Sequence, residues 1–280
     1  MSEEKQRKIK WRFKSKDGLE LFAHAFPSEK PPKAIICLVH GHGEHIERYE
    51  HLAAALNEAD YALVGFDHRG HGQSDGPRGH TPSYETLLDD IDAFLAEVDE
   101  DYPDLPRILY GHSMGGNLVL NYALRRKPDL KGVIATGPWI KLAFEPPAVQ
   151  VFLGKTMDKI FPAFIQASGL ETAALSRDPE VVRAYEDDSL VHNKVSARLF
   201  VEMYDSGLWS LENAGDFPLP LLLMHGSADR ITSAVASREF AEKAGEKVEL
   251  KIWDGFYHEI HNEPEQAEIF KKIIDWLEKL

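Results

Sequence analysis

The sequence predicts an α/β protein: a mostly parallel, doubly wound sheet flanked by helices and interrupted once by an inserted helical segment. Three observations predict it. Short apolar runs recur at residues 34–39, 61–66, 107–110, 132–136, 219–224 and 247–253, and continuous apolar runs of this length read as strands buried on both faces. Helical patterns lie between most of them, the alternation that builds a parallel sheet. Between Gly137 and Asp216 no clear strand appears, and a gap of about eighty residues is too long for a plain loop.

The elements follow in order. Ile9, Trp11 and Phe13 share one parity, and Leu19, Leu21 and Phe26 lie around the turn signal Asp17-Gly18; this predicts an antiparallel hairpin ahead of the parallel strands. Pro31-Pro32 breaks the chain before the strand at 34–39, and Leu52, Ala55, Leu56 and Ala59 then fall at helical spacing. From Ser83 to Tyr102, residues Tyr84, Leu87, Leu88, Ile91, Phe94, Leu95 and Val98 form an apolar stripe, the i, i+3, i+4 pattern of an amphipathic helix. Its other face, with Glu85, Asp89, Asp92, Glu97 and Glu100, reads as solvated. A last helix is expected over 264–280. The interruption carries Trp139, Phe144, Pro146, Pro147, Phe152, Met157, Phe161 and Phe164. The expected division is a core in two parts, 1–137 and 217–280, with a helical insertion at 138–216. There is no internal repeat and no low-complexity tract.

Charge narrows the partners. Thirty-two Lys and Arg stand against forty-six Asp and Glu, a formal charge of −14 over 280 residues. Phosphate binding needs a basic face, so nucleic acid is not an expected partner, nor is electrostatic docking on anionic lipid. The one cysteine, Cys37, has no internal partner and sits in an apolar run, where a small buried core residue is expected. The stretch MSEEKQRKIKWRF lacks the apolar centre of a signal peptide. No apolar run is long enough to span a membrane. A soluble cytoplasmic protein is the expectation.

The chemistry concentrates at Gly111-His112-Ser113-Met114-Gly115, where an apolar strand runs straight into a helical pattern. A serine on so sharp a strand-to-helix turn needs small neighbours and has a strained backbone. The turn also places the Met114 N–H at a helix N-terminus, where it can face a developing oxyanion. Gly72-Gln73-Ser74-Asp75-Gly76 has the same five-residue pattern, but Pro77, Gly79 and Pro82 forbid an immediate helix; Ser74 is read as part of a tight rim loop. A nucleophilic serine needs a base, and the base an orienting carboxylate. Asp229 follows the strand at 219–224, and His258 follows the strand at 247–253 through Asp254-Gly255-Phe256-Tyr257. Both therefore fall at the carboxyl edge of the sheet, where open α/β sheets place their sites, and in the order Ser, Asp, His. Asp254 competes as the acid and His261 as the base. A turn role for Asp254, a pocket-lining role for His261 and a structural role for His225 are expected instead.

His40-Gly41-His42-Gly43-Glu44-His45 follows another strand and admits two readings. In one, the glycines turn the chain and the His42 N–H becomes a second oxyanion donor. In the other, His40, His42 and His45 form an H-x-H-x-x-H metal cluster with Glu44 beside it. The metal arrangement leaves the Ser113 elbow and the Asp229–His258 order without a role, and it predicts an αββα layout.

The segments HGHGEHIERY, DHRGHGQSDG, GHSMGG, HGSADR and DGFYHEIHNEPE closely resemble the monoglyceride lipase family of the α/β-hydrolase fold, whose lysophospholipase-like relatives share most of them. The resemblance runs from about residue 35 to the C-terminus and is weakest across 138–216, where the family carries a variable cap. It implies a nucleophile at Ser113, a base at His258, an orienting carboxylate at Asp229 and an oxyanion hole from the backbone N–H groups of His42 and Met114. Relatives often carry a smaller or apolar residue at the His42 position, which bears on pocket shape rather than on the amide. Glu44, Arg48 and His261 match positions around the glycerol head group; a buried rim ion-pair network is the competing expectation for them.

The implied activity is hydrolysis of carboxylic esters, with long-chain monoacylglycerol as the leading substrate and no metal or organic cofactor. Lysophospholipids or short-chain esters are the alternatives within the class. A metal-dependent hydrolase and a non-catalytic ligand-binding homologue lie outside it. The aromatic cap would bind the acyl chain and make transient apolar contact with membranes or micelles.

Overall fold

The computed structural model describes residues 8–280; the leader expectation drawn from the first residues falls largely outside them. The hairpin forms as β1 (Lys10–Lys14) and β2 (Glu20–Phe26), antiparallel with Phe13 opposite Leu21. There follow β3 (Ile35–Val39), α1 (Glu50–Glu58), β4 (Ala62–Phe66) and α2 (Tyr84–Asp101). Ser83 stands just outside α2 as its cap, its Oγ accepting from the Thr86 N–H at 3.1 Å, which satisfies one of the free donors of the first turn. Next come β5 (Arg107–His112), α3 (Met114–Arg126) and β6 (Gly132–Thr136).

Between β6 and the next sheet strand lies the insert: α4 (Ala148–Ile160), β7 (Ile165–Ala167), α5 (Pro179–Asp187), β8 (Lys194–Ser196) and α6 (Ala197–Glu212). The core resumes with β9 (Leu221–Gly226), α7 (Ala234–Ala244), β10 (Val248–Trp253) and α8 (Gln266–Leu277).

Eight strands form one sheet in the order β1-β2-β4-β3-β5-β6-β9-β10. It is antiparallel at β1–β2 and β2–β4 and parallel from β4 to β10. The period of two sorts the side chains. Ile35, Cys37 and Val39 of β3 face a cluster with Leu87, Ile91 and Phe94 of α2 and Leu118 of α3. Ile36 and Leu38 face the opposite cluster, with Leu52 and Leu56 of α1 and Ile269 and Ile273 of α8. Each such side chain, fully buried, contributes about 1.5–3 kcal/mol. Among the described residues no helix is long and apolar enough to cross a membrane.

Two expectations need correction. β5 and β9 extend beyond their apolar runs, to His112 and Gly226, because His112 pairs with Thr136 and Gly226 with Trp253; polar and glycine residues stay in the ladder when neighbouring strands hold them. The insert is also not purely helical: β7 and β8 pair antiparallel, Gln166 opposite Val195. Three residues are too few for alternation to show.

Candidate active site

Ser113 sits at the junction of β5 and α3 with φ 54° and ψ −113°, the strained backbone of a nucleophile elbow. Three hydrogen bonds impose it: the Ser113 N–H donates to Thr136 O at 2.9 Å, and the Ser113 carbonyl accepts from Asn117 N–H at 3.0 Å and Trp139 N–H at 2.9 Å. The glycine at 115 answers to close approach, since a Cβ there would lie 1.9 Å from Val39 O.

Asp229 and His258 meet as their order predicts. The His258 Nδ1–H donates to Asp229 Oδ2 at 2.7 Å, which leaves Nε2 as the basic nitrogen of the ring. The Asp229 side chain is buried and heavily supplied with donors. Its Oδ1 accepts the Ile231 and Thr232 N–H groups at 2.7 and 3.0 Å, and its Oδ2 lies 3.0 Å from His225 Nε2 and 2.9 Å from Thr232 Oγ1. Burial alone would raise its pKa, but His258 and His225 hold the carboxyl well below the usual range. For His258, burial pushes the pKa down, while the Asp229 carboxylate, its hydrogen bond and the nearby Glu259 and Glu44 outweigh burial and raise it.

The competing residues go elsewhere. Asp254 accepts from Ser227 Oγ at 3.0 Å in an exposed turn. Ser74 donates to Asp67 O at 2.5 Å and accepts the Phe22 N–H at 2.8 Å, tying its loop to the hairpin. His225 Nδ1 pairs with Ser237 Oγ at 2.8 Å, so His225 supports Asp229 from behind.

The glycine-histidine loop after β3 lies against the elbow: a Cβ on Gly41 would come 3.3 Å from Ser113 Cβ. Neither the His42 nor the Met114 backbone N–H has a protein acceptor among the described residues, so both donors are free to serve an oxygen. The three histidines do not converge on a common point. His40 Nδ1 lies 2.7 Å from Gly41 O and its Nε2 accepts the His68 N–H at 3.0 Å, while His45 Nε2 turns to Asp188 Oδ2 at 2.8 Å. Among the described residues no group of three or more His, Cys, Asp or Glu could hold a metal ion, and the parallel sheet is not the αββα layout that the metal arrangement predicts.

Glu44, Arg48 and His261 separate. Arg48 is clamped between two carboxylates, Nη1 donating to Glu44 Oε2 at 2.6 Å and to Glu259 Oε1 at 2.8 Å, Nη2 to Glu259 Oε2 at 2.8 Å. Glu44 also accepts Gly41 N–H at 2.6 Å and Tyr49 Oη–H at 2.8 Å. Burial raises the Glu44 pKa against the opposing pull of Arg48. Glu259 is buried as well, yet the Arg48 charge and hydrogen bonds bring its pKa below the ordinary carboxylate value. Glu44 and Glu259 line the cavity, whereas Arg48 and His261 stand behind its wall; the His261 ring stacks on Tyr49 at 4.9 Å.

That cavity has a volume of about 730 Å³ and holds Ser113, His42 and His258 at its wall together with Trp139, Phe144, Met157 and Phe200 of the insert. Glu259 and Thr232 belong to the site without having been singled out in the sequence. Proximity was their only signal: Glu259 adjoins His258, and Thr232 lies three residues after Asp229.

Residues 30–265 match the family described as serine aminopeptidase, S33. The chain is 34% identical over 262 residues to the monoacylglycerol lipase of Mycolicibacterium smegmatis, covering 93% of each protein. It is 36% identical over 251 residues to an uncharacterized abhydrolase domain-containing protein of Dictyostelium discoideum, of which it spans 26%. In three dimensions it resembles the crystal structure of Paleococcus ferrophilus monoacylglycerol lipase with a TM-score of 0.85 and 35% identity, covering 92% of this chain and 98% of that one.

Proposed function

The chain belongs to the monoglyceride lipase family of serine hydrolases, and on that premise we propose that it hydrolyses long-chain monoacylglycerol to glycerol and fatty acid through an acyl-enzyme. The observation that carries this reading is a single cavity with Ser113 and His258 in its wall and aromatic and aliphatic side chains of the insert around the rest. A volume near 730 Å³ lies within the range of small-molecule sites. An acyl chain placed there gains about 0.8 kcal/mol per buried methylene.

In the proposed mechanism His258 Nε2 takes the Ser113 proton as Oγ attacks the ester carbonyl, and Asp229 holds the ring in the Nδ1–H tautomer. The His42 and Met114 N–H groups receive the oxyanion, helped by the positive end of α3. His258 returns the proton to the departing glycerol oxygen. Water then attacks the acyl-enzyme with His258 again as base, releasing the fatty acid. Residues 138–216 act as the cap. At the alcohol end the wall includes Glu44 and Glu259, whose carboxylates are buried and held by Arg48. Arg48 and His261 serve as supports behind that wall.

The cap also presents an apolar outer face. Val149, Phe152 and Ile160 are 63%, 67% and 76% exposed and do not line the cavity, and none of the residues of α4 is buried. A patch of this kind marks an interaction surface, here with the lipid that delivers the substrate.

Fatty-acid release from a long-chain monoacylglycerol, run beside Ser113→Ala, tests the reading. The variant should lose at least about 10³-fold in kcat while keeping its fold. Full activity in the variant would sink the serine mechanism. A wild type that reacts with a fluorophosphonate but releases nothing would discard the substrate and keep the nucleophile.

A further inference from the structure

The insert does more than roof the cavity. Its chain from the end of α5 through β8, residues 188–196, lies across the loop that carries His42. The His192 N–H donates to Gly43 O at 2.9 Å, and a Cβ on Gly43 would stand 2.5 Å from His192 O, so the two backbones are in direct contact. His192 Nε2–H donates to Gly70 O at 3.0 Å and its Nδ1 accepts the Lys194 N–H at 3.2 Å, which fixes both tautomer and ring. Asp188 Oδ2 lies 2.8 Å from His45 Nε2 at one end of the segment. At the other, the Ser196 N–H donates to Gly79 O at 2.8 Å.

Side chains complete the clamp. The His42 ring lies 5.4 Å from His71 and 5.6 Å from His192, and those two lie 4.6 Å apart. The three rings come from three separate segments: the loop after β3, the loop after β4 and the insert. Burial, with neighbouring histidines adding, pushes His42 down to about 3, and burial pushes His192 to about 4; the rings therefore pack uncharged at neutral pH. On its other side the Gly41 N–H donates to Glu44 at 2.6 Å within the loop, and Glu44 is held in turn by Tyr49 and Arg48. The His42 amide thus sits between one anchor from the core and one from the insert.

We propose that residues 188–196 are a positioning strap for the oxyanion loop, with His192 as the main positioning residue and Asp188 as the second. The proposal rests on the reading of His42 as an oxyanion donor. Its physical content is coupling: lifting this part of the insert frees Gly43 and the His42 ring, and the His42 amide loses its aim. An oxyanion donor acts only when fixed where charge develops, and a misplacement of about 1 Å costs about 10²-fold.

The test compares wild type with His192→Ala, His192→Gln and Asp188→Asn. The readouts are kcat and KM on a monoacylglycerol, the rate of labelling by a fluorophosphonate, and Tm. His192→Ala should lower kcat and the labelling rate together by about 10–100-fold, with KM within about twofold. His192→Gln keeps an N–H for Gly70 O and should recover a large part of that loss. Asp188→Asn weakens only the end tie and should move the same two rates in the same direction by a smaller factor, which serves if the alanine variant does not fold.

Unchanged kcat in a folded His192→Ala, a fall in Tm alone, or a rise in KM alone would each overturn the strap. A wild type that neither turns over nor labels would remove the functional reading, and the strap with it. An active wild type with an indifferent His192→Ala would remove the strap only.

Discussion

Asp229 receives more hydrogen bonds than orientation of one imidazole requires. Backbone donors at 2.7 and 3.0 Å hold Oδ1, and His258 at 2.7 Å and His225 at 3.0 Å share Oδ2. Such a carboxylate stays ionised throughout the working range and fixes the Nδ1–H tautomer of His258. Asp229→Asn should therefore lower kcat by about 10³–10⁴-fold with the fold retained; steady-state kinetics beside circular dichroism would check it, and an undamaged variant would point to another acid. His258 itself lies above the ordinary imidazole value of 6.5, since Asp229, Glu259 and Glu44 favour its charged form more than burial disfavours it. The neutral ring is the base, so kcat/KM should fall with acidity through a midpoint above about 6.5. A midpoint below that, or a rate that rises in acid, would contradict a histidine base in this environment. At this scale much of the site was legible. Ser113, Asp229 and His258 each follow an apolar run, and that context separates Ser113 from Ser74. The ion pair of Glu44 with Arg48 was one of the two expectations for the rim; that Arg48 and His261 do not line the cavity was not legible, because which face of a rim segment meets the cavity depends on what packs behind it.

At the scale of elements, the junction of β5 and α3 is held by contacts that leave no room for a side chain. A methyl group at position 115 would collide with the carbonyl of Val39 on the neighbouring strand, and Val39 cannot retreat without breaking the β3–β5 ladder. Gly115→Ala should destabilise by about 1–3 kcal/mol and reduce turnover, because relief of the clash tilts α3 and carries the Met114 amide with it. Thermal unfolding and kcat measured together would check this; an unchanged Tm would mean that the junction is looser than its distances imply. The start of α2 was readable because caps are local: Ser83 marks it. The short pair β7 and β8 was not, since its three-residue strands exist through each other rather than through any pattern of their own.

The whole molecule sets an acidic body against an apolar outer face on the insert. A charge of −14 disfavours anionic surfaces, so contact with lipid should be made by apolar burial and be weakly dependent on salt. Phe152→Ser and Ile160→Ser should each weaken partition onto zwitterionic vesicles by about tenfold, the equivalent of about 1.4 kcal/mol, with little change on a dispersed short-chain ester. Sedimentation with vesicles would measure it; undiminished binding by the double variant would place the contact elsewhere. The proposed strap sits at the same scale, because it joins the insert to the loop after β3.

The sequence by itself determined the alternation of strand and helix, the antiparallel hairpin ahead of it, the break after residue 137 and the positions of serine, aspartate and histidine at the carboxyl ends of strands. These follow from short-range rules: apolar periodicity, glycine and proline punctuation, and the requirement of a tight elbow for small neighbours. Only the tertiary structure decided which rim residues face the cavity, that Glu259 clamps Arg48 from 211 positions away, that His40, His42 and His45 diverge instead of converging, and that His192 reaches the loop after β3. Each of these depends on segments far apart in the chain arriving at one place. Side-chain direction at such a meeting is set by packing, which no local pattern encodes.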